Sequence, residues 1–262
     1  MFMKTSILLP KPPKITKKSK SRTIFEIENC YPGYGLTLGN ALRRVLLSSL
    51  PGAAITSVRI EGVNHEFSTI PNILEDVIQI VLNLKQIRFK LYSEGPVSLS
   101  LKAKGEKKVI ASDIKLTSDV EVINKDAHIA TLTNQKAKLD IEIEVDSGLG
   151  YVTSEERKKR KLSTGYIAID VLFSPVKRVK YKVENMRVGD KTNFNKLKLD
   201  IETDGSTSPE EAFEKAVRIL VNHFKIFLKE KEEKKKITKT KTKIQTKKKT
   251  TKPKKLKNKA SK

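Results

Sequence analysis

The chain has 262 residues, with 54 Lys and Arg against 30 Asp and Glu, a formal net charge of +24 at pH 7. That length buries a sizeable core as one large or two small domains. The charge sits at the ends: residues 229–262 hold 17 Lys and 3 Glu, residues 1–22 hold seven basic and no acidic side chains, and the body between carries only +3, which argues against a protein built wholly to coat nucleic acid.

In chain order, Thr23 to Asn29 alternates as a strand, with Ile24 and Glu26 on one side and Phe25 and Ile27 on the other. Cys30 is the only cysteine, so no intramolecular disulfide forms; it fits a reducing compartment and reads as a small, partly buried apolar residue. A loop through Gly33 and Gly35 turns into a helix over Gly35 to Ser49, GLTLGNALRRVLLSS, stopped by Pro51 and Gly52. At 100° per residue Leu38, Ala41, Leu42, Val45, Leu46 and Ser49 fall on one stripe, which predicts packing on the chain's own core. Asn40, Arg44 and Leu47 lie opposite, where an Arg beside a bare leucine suits a protein interface.

Ala53 to Gly62 reads as a strand, and Asn72 is placed to N-cap a second helix ending near Lys85. Leu74, Val77, Ile78, Val81 and Leu84 form its predicted buried side, with Glu75, Gln79 and Asn83 along a polar stripe. From Arg88 to Val152 the segments LSLKAK, VEVIN, HIATLT and KLDIEIEV alternate with period two, predicting an antiparallel sheet with one wet face. Gly148, Gly150 and the run Glu155 to Lys161 predict a solvated loop, and Ile167 to Glu184 returns to strand. Ser208 N-caps the last helix, with Pro209 at its first position and Glu211 completing a capping box. Phe213, Val217, Leu220, Phe224 and Phe227 follow at spacings of four and three, a heptad-like seam that on its own reads as intramolecular core. The fold class is α+β.

No catalytic constellation is predicted. His65, His128 and His223 lie in unrelated segments without metal-ligand spacing, and the pairs Glu75/Asp76, Glu155/Glu156 and Glu210/Glu211 belong to helices or a charged loop. Gly33, Gly35 and Gly39 in GYGLTLG lack the spacing and the lysine of a phosphate-cradling loop. No cofactor and no metal are expected. No segment reaches the roughly 20 apolar residues of a membrane-spanning helix, and the four-residue apolar run of MFMKTSILLPKPP is too short for a signal-peptide core. A soluble, intracellular protein is expected, without a membrane partner.

Two separated blocks carry a resemblance. Gly33 to Lys85, opening GYGLTLGNALRRVLLSSLPG and including HEFST, and Phe173 to Gly205, FSPVKRVKYKVENMRVGDKTNFNKLKLDIETDG, followed by SPEEAFEKAVRIL, resemble the amino-terminal domain of the bacterial-type RNA polymerase alpha subunit. The similarity covers roughly residues 23 to 228. It implies two lobes: residues 23–51 with 173–228 as a dimerisation subdomain, and 52–172 as an inserted, β-rich subdomain. It further implies a homodimer formed through the first and last helices, with Leu38, Leu42, Phe213, Val217, Leu220, Phe224 and Phe227 at the contact. Arg44, Arg43, Asn40 and Leu47, with His65, Glu66, Phe67, Ser68 and Thr69 on the same side, would meet the large subunit called beta. Ser174, Pro175, Val176 and Arg178 would meet beta prime. In this family the metal-bound active site belongs to the large subunits, so the chain would be a non-catalytic scaffold of a nucleotidyltransferase.

The sequence departs from the family at two places. The loop ENCYPGYG stands where an acidic and basic pair is more usual. After Leu228 a Lys/Thr-rich tail, with too few apolar residues to fold alone, is expected to stand where the family has a small helical C-terminal domain. Lys234, Lys235, Lys236, Lys247, Lys248 and Lys249 of that tail are candidate non-specific DNA contacts. Two rivals are weighed: an archaeal or eukaryotic-type counterpart pairing with a different small subunit, and a stand-alone basic nucleic-acid-binding protein. The expected location is the cytoplasm of a bacterium, near the nucleoid, or the stroma of a plastid-like organelle.

Overall fold

The alternation of apolar and polar residues dictates two covered sheet faces, and both are present in the computed structural model. It describes residues 7–63, 65–93, 95–158 and 165–228, with only the backbone of 157 and 158. Its elements begin with β1 (Lys14–Ser19), β2 (Arg22–Cys30), α1 (Tyr34–Ser48), β3 (Pro51–Ile60), α2 (Val77–Lys85), β4 (Phe89–Leu91), β5 (Val97–Lys104) and β6 (Lys107–Ile110). Then come β7 (Ile114–Lys115), β8 (Val120–Val122), β9 (His128–Leu132), β10 (Lys138–Leu149), β11 (Tyr151–Val152) and α3 (Ser154–Lys158). The chain continues with β12 (Ile167–Ala168), β13 (Val171–Leu172), β14 (Val176–Val188), β15 (Lys191–Thr203) and α4 (Pro209–Ile226). Contacts divide it into one unit of Met1–Val217 and a second of Arg218–Lys262.

Within the first unit, four antiparallel strands in the order β1-β2-β15-β14 form one sheet. Phe25, Ile27 and Cys30 of β2 and Leu197, Leu199 and Ile201 of β15 point to its covered face. Phe213 of α4 stacks on Phe25 there at 4.5 Å and 12°. The opposite face is open and laced with ion pairs: Arg22–Asp200 and Arg178–Glu202 at 2.7 Å, Lys196–Glu26 at 2.7 Å, and Lys198–Glu184 and Lys14–Glu28 at 3.0 Å. Part of the basic N-terminal segment is therefore a strand, the edge β1. Its sequence KITKKS is exposed throughout, so hydrophobic alternation gives no sign of it.

The second sheet runs β7-β5-β10-β3-β4-β8, with β12 added to β3. Its core joins Ile55, Val58 and Ile60 to Leu99, Leu101, Ile141, Ile143 and Val145, capped by Val77, Ile80 and Leu84 of α2. The strands of the first sheet thus come from segments flanking this second one in sequence. The fold is α+β, mostly antiparallel.

Several local expectations are corrected. The second helix begins at Val77, not after Asn72, and its cap is Asp76, whose side chain accepts from Gln79 N. Leu74 and Ile78 are exposed, while Ile80 takes the buried place. HIATL does not join the large sheet; β9 pairs with strand β6. Gly148 lies inside β10, and the charged loop contains the short helix α3. The last helix stops at Ile226, leaving Phe227 in the following turn.

The open sheet face makes stability acid-sensitive. Hydrogen bonds from Lys14, Lys198 and Arg22 hold Glu28, Glu184 and Asp200, in that order, below the ordinary carboxylate range. A carboxylate whose folded pKa is depressed stabilises the fold above its unfolded pKa, and that share is lost as pH falls through the folded value. Arg22 is shifted up by its bond to Asp200 and Lys196 by its bond to Glu26, so their share disappears only as pH rises through their folded values, above about pH 10. Melting followed by circular dichroism should show a midpoint that declines below about pH 4. Asp200→Asn with Glu184→Gln should flatten that decline, and the difference should shrink in 1 M salt, because these pairs are solvent-exposed.

Candidate assembly surface

α1 owes its position to residues without side chains. Gly35 and Gly39 are buried. A Cβ on Gly35 would lie 2.8 Å from Asn195 Cβ and 2.9 Å from Val183, and one on Gly39 would lie 2.8 Å from the Tyr181 ring. The helix backbone therefore rests directly on β14 and β15, and Leu42 and Leu46 continue the same buried line. Gly33, at φ 85°, starts the helix and donates its N–H to Asn195 Oδ1 at 2.9 Å. GYGLTLG is a packing motif.

This seat sorts the predicted residues of α1. Asn40, Arg43, Arg44 and Leu47 are exposed, and among the described residues neither guanidinium has a carboxylate partner. Leu42 is only 5% exposed within its own chain. Leu38 is half-buried against the cluster of Ile27, Cys30 and Leu197. Burial pushes the Cys30 thiol pKa up.

The HEFST segment folds as a tight turn. Ser68 N and Oγ both donate to His65 O, at 3.3 and 2.6 Å, and Val77 N donates to Ser68 O at 3.2 Å. His65, Glu66, Phe67 and Thr69 are exposed and Ser68 is half-buried. Phe67 is 75% exposed and borders a groove of about 270 Å³ whose walls include Glu66, Ile78, Leu82, Lys85 and Asp170.

The SPVKRV block is organised from beneath. Gly52 and Gly148 are cross-strand partners, and a Cβ on the first would sit 1.8 Å from Phe173 O, one on the second 2.6 Å from the Phe173 ring. Phe173 packs against this bare patch. Ser174, Pro175 and Val176 follow it into the interior and are buried within this chain. Arg178 alone of the four is exposed, and it is bound to Glu202.

α4 changes character along its length. Ser208 Oγ accepts from Glu211 N, and Ala212 and Ala216 are buried with Phe213 and Val217 half-buried. In the second unit Leu220 is half-buried, and Val221, Phe224, Ile226, Phe227 and Leu228 are all exposed, Phe227 by 84%. Lys234, Lys235, Lys236, Lys247, Lys248 and Lys249 lie outside the described residues.

The three histidines stay apart, and among the described residues no group of three or more His, Cys, Asp or Glu is placed to hold a metal ion. No described helix is long and apolar enough to cross a membrane. One association escaped the sequence: Glu75 meets His128 Nε2 at 2.8 Å and Thr131 N at 2.6 Å. The partners are more than fifty residues apart, and nothing in spacing signals it.

Residues 58–174 match the family model described as the RNA polymerase Rpb3/RpoA insert domain. Over 204 residues, 78% of this chain, the sequence is 50% identical to the DNA-directed RNA polymerase subunit alpha of Symbiobacterium thermophilum, covering 64% of that protein. Over that length the chain is similar to RNA polymerase alpha subunits. Proteins of the same name from Oceanobacillus iheyensis and Clostridium perfringens are 50% and 52% identical over the same length, with 65% and 64% of each covered. The chain thus spans slightly less than two thirds of these alpha subunits.

The glycine seat is testable. Gly39→Ala gains helix propensity of up to about 1 kcal/mol but forces a methyl into the Tyr181 ring, an overpacking cost of about 1–3 kcal/mol. A net loss of about 1–2 kcal/mol is expected, lowering the melting midpoint by roughly 2–8 °C. A midpoint at or above the wild-type value would show that α1 has room to spare.

Proposed function

We propose that this chain is the assembly scaffold of a DNA-dependent RNA polymerase. Two copies associate, and the pair captures the beta and beta prime subunits, which supply the catalytic chemistry while this chain supplies none. In this reading residues 23–51 and 173–228 form the dimerisation part and 52–172 the inserted part. The observation that carries it is α1: in a chain 50% identical over 204 residues to an alpha subunit, a helix seated by glycines presents Asn40, Arg43, Arg44 and Leu47 outward, with no ion pair for either arginine among the described residues. An unpaired Arg beside an exposed leucine on a rigid element fits a desolvated protein contact. The exposed Phe224 and Phe227 fit a second copy, since among the described residues nothing covers either ring.

These roles separate by mutation. Arg44→Ala should keep the dimeric mass and lose beta-subunit capture by at least about 2 kcal/mol, roughly 30-fold in Kd. Phe224→Glu should yield a monomer at micromolar concentration, because a lone charge in the seam is costly to bury. Light scattering with pull-down of the purified large subunits reads both. A monomeric Arg44→Ala or a dimeric Phe224→Glu would overturn the corresponding assignment.

The Lys-rich segment after Leu228 we assign to non-specific DNA. Its 17 Lys are interleaved with Thr, which contacts phosphates without reading base edges. With on the order of 6 to 10 lysines engaged, log affinity for random duplex should fall against log salt with a slope of roughly −5 to −9. A chain ending at Leu228 should lose that slope equally for every sequence and keep its assembly. Unchanged DNA affinity would remove the tail from the mechanism.

A further inference from the structure

α2 starts later than its apolar spacing predicts because a side chain just ahead of it is held elsewhere. The Glu75 side chain is 11% exposed, accepts from Thr131 N at 2.6 Å and Thr131 Oγ1 at 3.0 Å, and meets His128 Nε2 at 2.8 Å. The backbone before it is laid along β9: Leu74 N donates to Thr131 O, Thr133 N to Asn72 O, both at 3.0 Å, and Ile73 bridges Leu132. Asn72 takes φ 63° to allow this. Continuing the helix upstream would pull residues 72–75 off β9 and strand the two Thr131 donors.

The consequence reaches the surface in two steps. With Glu75 held, Asp76 caps the helix and Val77 supplies its first N–H. That N–H is donated to Ser68 O, the carbonyl of the turn bearing Glu66 and Phe67. A single route of bonds therefore runs from β9 through the entry of α2 to an exposed aromatic residue. Val77, Ile80 and Leu84 anchor the helix body in the core independently of this route. Glu75 thus controls the entry and the turn rather than the helix as a whole.

We propose that Glu75 is a positioning residue for assembly: through α2 and Ser68 it fixes the Glu66–Phe67 turn in the conformation that the beta subunit meets. This rests on the scaffold reading above. A pre-set turn spares the ordering cost that a loose Phe67 would impose on binding.

The test uses the full chain as wild type, Glu75→Ala, Glu75→Gln and Arg44→Ala, with amide hydrogen exchange read by mass spectrometry and capture of purified beta subunit measured alongside. Glu75→Ala should exchange residues 66–77 at least about tenfold faster, while β10 and β3 stay protected. Its beta-subunit Kd should rise about tenfold with the dimeric mass unchanged. Glu75→Gln should recover part of both effects, since its amide oxygen still accepts the Thr131 N–H. Unchanged exchange overturns the proposal. So does faster exchange with unchanged capture in a series where wild type binds and Arg44→Ala does not. If Glu75→Ala also loses protection in β10, Thr131→Val and His128→Ala, which each remove one contact, are read by the same criteria. A wild-type chain that captures no beta subunit would bring down the scaffold reading and this proposal with it, whereas the exchange data would still report whether Glu75 holds the turn.

Discussion

The close approach of α1 to the four-stranded sheet governs what the rest of the molecule can present. Where a helix lies against strands through glycine, its backbone comes nearer than any side chain allows, and its rotation about its own axis is set by the few residues that still fit. Gly35 and Gly39 touch β14 and β15, Leu42 and Leu46 fill the space beyond them, and Asn195 receives the first turn. With that rotation set, Arg43, Arg44 and Leu47 have nowhere to go but outward. The same device recurs at Gly52 and Gly148, where a bare cross-strand pair admits Phe173 and draws Ser174, Pro175 and Val176 inside after it.

The surface divides into two chemical types. On the open sheet face each acidic residue has a basic neighbour across the strands, as with Asp200 and Arg22 or Glu184 and Lys198. Such a lattice is content in water and would lose hydration under a dry partner without gaining new bonds. Other patches differ: among the described residues neither Arg43 nor Arg44 has a carboxylate partner, and Phe67, Phe224 and Phe227 are exposed. In the proposed scaffold, such groups are the ones offered to another molecule.

Much of this was legible in the residues and some was not, for definite reasons. The strand Thr23 to Asn29, the first helix and the cap at Ser208 announce themselves because their signals are local: alternation, a stripe, a hydroxyl ahead of a proline. β1 was invisible because an edge strand with both faces wet has no apolar alternation. The start of α2 was misplaced because Glu75 answers to Thr131 and His128, partners distant in sequence, rather than to the helix. Leu42 and Val176 show the same limit from the other side. Composition marks a residue as apolar but not whether the surface beneath it belongs to its own chain, and here Gly39, Gly52 and Gly148 decide that. The resemblance supplied what no periodicity could, the expectation of partner subunits.

The order of the four-stranded sheet has a consequence for how the polypeptide emerges from a ribosome. β2 pairs locally with β1, but its other edge is completed only by β15, and Arg22 finds Asp200 178 residues later. At about 5–20 residues per second, that edge stays open for on the order of ten to forty seconds of translation. In the interval the second sheet can close on itself, since β3, β5 and β10 all lie in the span between. The N-terminal hairpin must wait, and its waiting strand carries Glu26 and Glu28 on one face, charges that discourage two nascent chains from zipping edge to edge before the proper partner arrives.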